Sequence, residues 1–213
     1  MMGHNMTANE FQELTGVPRE TMDKLVLYSE TLTKWQKSIN LVSNSTLPNM
    51  WLRHFYDSAQ LSGYITRTDK PLKILDLGSG AGFPGLVLSI LGLGEVILVE
   101  GVGKKCSFMK QIIQQTDINA IVYNKRIEDL AAFPVDLITS RACADLNKLL
   151  DLTEKFIKPA TKCLFLKGKN VENELLLAEK KRCFGVKKFP SKSDRSGVIL
   201  LLSEVEARTK KEK

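Results

Sequence analysis

From residue 72 onward, short apolar runs alternate with stretches in which apolar residues recur at helical intervals. This alternation is typical of buried parallel strands joined by helices. It predicts strands near 72–77, 95–100, 119–123, 135–139, 162–167, 186–189 and 197–203, and helices near 84–92, 104–116, 145–157 and 171–183. Too few residues separate the last two strands for a helix, so we expect an antiparallel hairpin at a sheet edge. The pattern therefore predicts an α/β fold with a seven-stranded, mostly parallel sheet.

Residues 8–62 follow a helical pattern instead. Five apolar residues are spaced so that they can share one helix face: Met22, Leu25, Leu32, Trp35 and Ile39. We expect this helix to end near Asn40 and the next one to begin behind Thr46 as its N-cap. A polar connector at 63–71 follows. The chain thus divides into an N-terminal helical extension, residues 1–70, and a sheet domain, residues 71–213.

Composition narrows the possible partners and locations. The 213 residues are 43% hydrophobic, and no apolar stretch reaches the length of roughly 20 residues that a membrane helix needs. The first residues form no apolar signal segment, so we expect a cytoplasmic protein without a membrane partner. Lys and Arg number 31 against 24 Asp and Glu, and this net charge of +7 favours an anionic partner such as RNA.

Cysteine spacing argues against a metal site. The four cysteines are far apart, no two of them form a C-x-x-C pair, and the chain has only two histidines. Structural zinc sites need clustered ligands. We therefore expect reduced thiols and no metal; the cysteines are Cys106, Cys143, Cys163 and Cys183.

The candidate chemistry centres on a glycine-rich turn, DLGSGAGFPG at residues 76–85, between a predicted strand and a predicted helix. Residues 80–85 formally satisfy the G-x-G-x-x-G pattern of dinucleotide-binding proteins. A second register fits better, with Asp76 at the strand end and Gly78, Gly80 and Gly82 at alternate positions after it. The Asp76 carboxylate would repel a pyrophosphate, whereas it suits the ammonium and sulfonium groups of S-adenosylmethionine (SAM).

A second acid supports the same ligand. Glu100 ends the next predicted strand, 22 residues after Gly78. This is near the offset of about 20 residues expected for an acid that binds ribose hydroxyls. Asp76 favours SAM over a nicotinamide dinucleotide, which remains the alternative, and Glu100 is compatible with the ribose of either.

The glycine signature resembles that of the bacterial 16S rRNA guanine-N7 methyltransferase family known as RsmG or GidB. Further blocks agree over most of the chain: WQKSINL at 35–41, RHFYDS at 53–58, NKRIE at 124–128, DLITSRA at 136–142 and KG at 167–168. Gln36 stands where the family usually has Asn, and Ile127 where it more often has Ala. The resemblance implies a Rossmann-like class I SAM-dependent methyltransferase that methylates N7 of a guanine in 16S rRNA of the small ribosomal subunit. We expect it to be a monomer.

The motifs and the resemblance together give two sets of site residues. The expected cofactor-binding residues are Asp76, Gly78, Gly80, Phe83, Glu100, Ile127, Glu128 and Arg141. Ile127 and Glu128 are assigned to adenine, and Arg141 to the cofactor region or RNA. The candidates for RNA contact are Arg53, His54 and Lys167, of which His54 could equally be structural.

Two basic features also allow two interpretations each. Lys104 and Lys105 open a predicted helix, where cations oppose the helix dipole, and a basic run spans residues 180–195. Each could bind phosphate or be a solvated surface. Arg53 and Asp57 lie four residues apart, so an ion pair between them is possible.

The chemistry that is missing also bears on function. No Pro-Pro-aromatic motif of amino-directed methyltransferases occurs, and no cysteine has a recognisable catalytic partner. Guanine N7 carries a free lone pair and needs no deprotonation before methyl transfer. We therefore predict no catalytic residue. The remaining alternatives are an NAD(P)-dependent oxidoreductase and a non-catalytic RNA-binding module on a methyltransferase scaffold.

Overall fold

The computed structural model describes residues 5–141 and 143–207. Two helices open the chain, α1 (Ala8–Thr15) and α2 (Arg19–Gln36). Consecutive short helical turns follow over residues 47–64 and include a π-helix, Trp51–Tyr56, and α3, Asp57–Ala59. The remaining helices are α4 (Gly85–Ile90), α5 (Gly103–Thr116), α6 (Leu146–Thr153) and α7 (Val171–Ala178).

A seven-stranded sheet forms the centre of the molecule. Its strands are β1 (Leu72–Leu77), β2 (Gly94–Glu100), β3 (Ala120–Asn124), β4 (Leu137–Arg141), β5 (Lys162–Lys167), β6 (Arg182–Pro190) and β7 (Val198–Ala207). They lie in the order β3-β2-β1-β4-β5-β7-β6. The first five strands are parallel, while β7 runs antiparallel to both β5 and β6. The predicted fold class and the edge hairpin are confirmed.

Helices cover both faces of the sheet, and alternation along each strand divides the core. On β1, Ile74 packs with α2, α4 and α5, whereas Leu75 and Leu77 pack with α6 and α7. This two-sided burial explains why the strands are nearly continuous apolar runs. Asp76 shares the face of Ile74, so its carboxylate lies under α4 and the N-terminal helices.

The N-terminal helices share one core with the sheet domain. Tyr28 of α2 stacks on Phe83 of the glycine-rich turn, with ring centroids 5.1 Å apart, and Phe55 packs edge-on against both rings. The division at residue 70 stays a prediction.

Several local expectations differ from the structure. α2 ends at Gln36 rather than near Asn40, because the Gln36 side chain bonds the following loop and turns the chain. α7 ends at Ala178 rather than near 183, since Arg182 already begins β6 and binds Asp151 and Glu154. Thr46 precedes the next helical turn, but its side chain makes no cap hydrogen bond. In the part of the chain described, no helix is long and apolar enough to cross a membrane.

Candidate functional site

A cavity of about 630 Å³ opens at the carboxyl ends of β1, β4 and β5. This edge is where open α/β sheets bind their ligands. The glycine-rich turn forms the floor of the cavity, and residues from the 41–57 region and from the β6–β7 loop form its walls. Of the predicted site residues, those that line it are Gly78, Gly80, Phe83, Arg141, Arg53, His54 and Lys167.

Two glycines of the turn combine a left-handed backbone with a lack of room for a side chain. Gly78 has a φ of +65°, and a Cβ there would lie 2.5 Å from Sγ of Cys143. Gly82 has a φ of +94°, and its Cβ would lie 2.3 Å from the Leu86 side chain. Both the left-handed backbone and the close neighbours therefore require glycine. The turn leaves its backbone open to a ligand at the cavity floor.

Asp76 lies beneath the turn and is completely buried. Its carboxylate accepts hydrogen bonds from the Thr139 hydroxyl, at 2.8 Å, and from the Gly85 amide, at 3.3 Å. Burial raises the pKa of Asp76 from 3.8 to about 6, although these two hydrogen bonds act in the opposite direction. Asp76 thus fixes the start of α4 and places a negative charge under the cavity floor, but it does not line the cavity.

Glu100 connects the turn to the end of β2. Its Oε2 accepts a hydrogen bond from the Gly80 amide at 2.9 Å, and its Oε1 accepts one from the Val102 amide at 2.8 Å. The carboxylate therefore lies next to the turn, where both of its oxygens bind backbone groups, and its role at the ribose stays a prediction.

The residues assigned to adenine lie outside the cavity. Ile127 and Glu128 belong to a short turn, Ile127–Asp129, in which Ile127 is buried and Glu128 is exposed. Lys155 holds this turn by donating to the backbone oxygens of Glu128, at 2.8 Å, and Leu130, at 2.7 Å. Sequence reasoning missed Lys155, because a contact across 27 residues leaves no local pattern.

Arg141 and His54 meet on the cavity wall. Nη1 of Arg141 lies 2.9 Å from Nδ1 of His54, and it donates to the Arg53 backbone oxygen at 2.9 Å. Because arginine can only donate, Nδ1 must accept and the ring proton must sit on Nε2. Nε2 then donates to the Thr46 hydroxyl at 2.8 Å, and that hydroxyl donates to the Ser43 oxygen.

This arrangement keeps His54 neutral. The residue is 6% exposed, and its ring stacks on Phe83 at 5.1 Å. Burial and the charges of Arg141 and Arg53 lower the pKa of His54 from 6.5 to about 3. The imidazole is therefore a fixed, uncharged part of the wall at neutral pH.

The ion pair considered between Arg53 and Asp57 is not formed. Arg53 pairs with Asp194 at 2.8 Å, and Asp57 lies 3.5 Å from Nη1 of Arg141. The backbone from 51 to 56 is a π-helix, so the four-residue spacing of an α-helix does not apply there. Ser193 also donates to the Asp57 carboxylate. These contacts attach the β6–β7 loop to the N-terminal region.

Lys167 reaches the cavity, but its ammonium is occupied. It pairs with Glu174 at 2.5 Å and donates to the Ala144 oxygen at 2.8 Å, and its side chain is 8% exposed. Glu174 also accepts from the Leu146 amide at the start of α6. The pair therefore joins β5, α6 and α7 at the cavity wall. Sequence reasoning missed Glu174 as well.

Gln36 is the least expected contributor to the wall of the cavity, because it acts through the loop that follows α2. Its Oε1 accepts from the amides of Leu41, at 3.0 Å, and Val42, at 3.1 Å. Its Nε2 donates at 2.8 Å to the Val42 oxygen and to Oδ1 of Asn44. This buried amide fixes the loop at 41–44, three residues of which line the cavity. A glutamine on an apolar helix face was the available signal.

Other expectations concern metals and one residue that is not described. Within residues 5–141 and 143–207, no group of three or more His, Cys, Asp and Glu side chains could hold a metal ion. The absence of a metal stays a prediction. Ala142, the last residue of the DLITSRA block, lies outside the described residues.

Comparison with known proteins gives consistent matches. A family model described as rRNA small subunit methyltransferase G (GidB) matches residues 21–196. A protein of that name from Rhodospirillum centenum is 46% identical, covering 94% of this chain and 92% of its own. Another from Paramagnetospirillum magneticum is 42% identical, covering 94% and 97%. A SAM-dependent methyltransferase structure from Aquifex aeolicus has a TM-score of 0.56 at 16% identity, covering 73% and 92%, and supports the Rossmann-like fold.

Proposed function

The chain belongs to the rRNA small subunit methyltransferase G family and is a methyltransferase, and from this premise we propose that it transfers a methyl group from SAM to N7 of a guanine in 16S rRNA. The observation that carries the proposal is the cavity whose floor is the acid-glycine turn and whose wall holds Arg141 and His54. Family membership selects this interpretation over the oxidoreductase. We further propose that the protein acts as a monomer in the cytoplasm.

The residues around the turn fit SAM. The absence of a side chain at Gly78 and Gly80 leaves a polar backbone cradle, and the negative charge of Asp76 below it suits a ligand with ammonium and sulfonium groups. Bound SAM supplies an electrophilic methyl group. Gly78, Gly80 and Phe83 form the floor, and Asp76 acts through the turn and through its charge.

The outer part of the cofactor would extend past the turn. Glu100 is positioned at the Gly80 amide, where its carboxylate can accept from ribose hydroxyls. Ile127 provides an apolar surface and Glu128 an acceptor for adenine, with Lys155 holding their turn in place. These assignments predict that ribose and adenine lie outside the cavity, along the ends of β2 and β3.

The protein would act on the guanine by placement. N7 is a free acceptor, so no side chain has to remove a proton, and alignment with the methyl group can supply much of the acceleration. Arg141 and neutral His54 form a rigid wall against which the base can be positioned. Arg53 and Lys167 would reach RNA phosphates only by exchanging Asp194 and Glu174 for them.

Single-turnover transfer from methyl-labelled SAM tests the proposal. The substrate is small-subunit rRNA from cells that lack the protein, with rRNA from cells that contain it as the control. We expect label to enter only the first RNA and the protein to bind SAM without binding NADH. NADH binding without SAM binding, or SAM binding without transfer to rRNA or immature subunits, would contradict it.

A further inference from the structure

Two segments of the chain contain lysines and no acidic residue. The segments are residues 31–56 and 101–116. Lys37 follows the end of α2, while Lys104 and Lys105 lie in the first turn of α5. We call these three residues the lysine corner.

Packing between α2 and α5 brings the three lysines to one end of the molecule. Trp35 donates to Gln111 at 3.0 Å, and Thr31 donates to Gln115 at 3.2 Å. Increasing residue number along α2 thus corresponds to decreasing number along α5. The C-terminal end of α2 therefore meets the N-terminal end of α5.

A second cavity of about 520 Å³ lies at this corner. It is lined by residues 40–44 and by Lys105. Leu41, Val42 and Ser43 line this cavity and also the main one. A single loop, fixed by Gln36, therefore separates the lysine corner from the proposed methyl-transfer site.

The lysine corner differs from the other basic groups near the main cavity because its charges are unpaired. Arg53 and Lys167 are paired with Asp194 and Glu174. In the described part of the chain, Lys37, Lys104 and Lys105 take part in no ion pair. Lys104 and Lys105 also oppose the dipole of α5, so they do not stabilise the helix that carries them. Unpaired lysines can bind phosphate without first breaking an internal contact.

The basic run at 180–195 is a weaker candidate. Arg182 is buried and pairs with Asp151 and Glu154, and Lys188 pairs with Glu172. Lys180, Lys181 and Lys187 are exposed and form no ion pair among the described residues, but they line neither the main cavity nor the second one, and β6 is the edge strand of the sheet. The position of Lys105 beside the loop that lines both cavities therefore favours the lysine corner.

We propose that the lysine corner binds backbone phosphates of the RNA strand that flanks the target guanine. The inference rests on the proposed function, because it takes the main cavity as the place where that guanine is methylated. Lys105 would bind the phosphate nearest to the base, across the loop at 41–44, and Lys37 and Lys104 would extend the contact outward.

A matched pair of triple variants tests this surface. The corner variant is Lys37→Gln, Lys104→Gln, Lys105→Gln. The control variant is Lys180→Gln, Lys181→Gln, Lys187→Gln, which also removes three positive charges, from exposed positions outside the corner. Affinity for protein-free small-subunit rRNA is measured over a range of salt concentrations. We expect the corner variant to bind at least tenfold more weakly at low salt, with the slope of log K against log salt reduced by about 2, since each single-strand phosphate contact contributes about 0.7. The control should keep the wild-type slope.

Three further outcomes separate the explanations. SAM affinity should stay within about twofold of wild type in both variants, which shows that the cofactor site is intact. Equal losses in both variants, or an unchanged slope in the corner variant, would overturn the inference while leaving methyl transfer by the wild type untouched. A loss seen only with ribosomal particles, and not with free rRNA, would indicate a protein partner and also overturn it.

Discussion

Arg141 donates from Nη1 to Nδ1 of His54 at 2.9 Å, and this bond sets the tautomer of the imidazole. The proton on Nε2 then completes a chain through Thr46 to the Ser43 oxygen. The chain links the end of β4 to the loop at 41–46, so two walls of the cavity are held by one neutral ring.

Protonation of His54 should destabilise the fold. Its pKa is about 3 in the folded protein and near 6.5 when unfolded, so its contribution to stability is complete above pH 6.5 and is lost as pH falls toward 3. Gln can accept from Arg141 and donate to Thr46 without titrating. We therefore expect wild type to lose stability relative to His54→Gln by up to about 1.4 kcal/mol per pH unit in this window. Urea unfolding at several pH values measures the difference, and parallel curves would contradict it.

Asp76 should make SAM binding depend on pH. Its pKa of about 6 in the free protein means that acid protonates the charge under the cavity floor. A cationic ligand favours the carboxylate, so affinity should fall by up to tenfold per pH unit as the pH drops below 6. Asp76→Asn should bind SAM more weakly at pH 7.5, with that pH dependence removed. Calorimetric titration tests both expectations, and unchanged affinity in the variant would remove Asp76 from the cofactor site.

The same group has an opposite effect on folding. Because the folded pKa of Asp76 lies above its unfolded value of 3.8, the folded state binds the extra proton between pH 4 and 6. Protonation of Asp76 therefore stabilises the folded state as pH falls, whereas protonation of His54 destabilises it. The contribution of Asp76 cancels when His54→Gln is compared with wild type, since both proteins retain Asp76.

Gln36 should be needed for RNA more than for SAM. Gln36→Ala removes four hydrogen bonds and leaves the amides of Leu41 and Val42 without their partner. We expect a loss of about 2–4 kcal/mol in unfolding free energy and a higher KM for RNA, with SAM affinity nearly unchanged. Gln114→Ala, at an exposed position of α5, is the control and should stay within about 0.5 kcal/mol. A larger effect on SAM than on RNA would contradict this role.

A methyl group at Gly82 should disrupt the turn. Gly82→Ala would place Cβ 2.3 Å from Leu86 and 2.9 Å from the Tyr28 hydroxyl, on a backbone with φ of +94°. We expect the free energy of unfolding to fall by several kcal/mol. The fraction of the variant that still folds should bind SAM weakly. Gly63→Ala has nothing within 4 Å of the new Cβ and should be nearly neutral. Thermal unfolding of both variants and of wild type tests this expectation. Equal unfolding midpoints for Gly82→Ala and wild type would contradict the steric argument.

Local patterns predicted the sheet well, because β1, β2, β4 and β5 are largely buried on both faces and form apolar runs in the sequence. The edge strand β3 is the exception, since Ile121 and Tyr123 are exposed. The turn was also predictable from local sequence, because its glycines adopt positive φ angles that other residues rarely adopt. The hairpin of β6 and β7 followed from the short spacing between them.

Long-range pairings could not be predicted in this way. The four-residue spacing pointed to an ion pair between Asp57 and Arg53. In the structure a π-helix separates them, and each pairs with a partner distant in sequence, Asp57 with Arg141 and Arg53 with Asp194. The complete burial of Asp76 was also hidden, because it depends on α4 and the N-terminal helices packing over one face of β1. Sequence spacing describes neighbours along an element, whereas these contacts depend on how elements meet.

The position of the transferred methyl group tests the central claim most directly. Small-subunit rRNA from cells lacking the protein is treated with the purified protein and SAM, then reduced with borohydride and exposed to aniline, which cleaves RNA at N7-methylguanine. We predict one new cleavage, at a guanine of 16S rRNA, that requires both SAM and the protein. A methyl group found on a carbon or an exocyclic nitrogen, or no methyl group at all, would contradict the account.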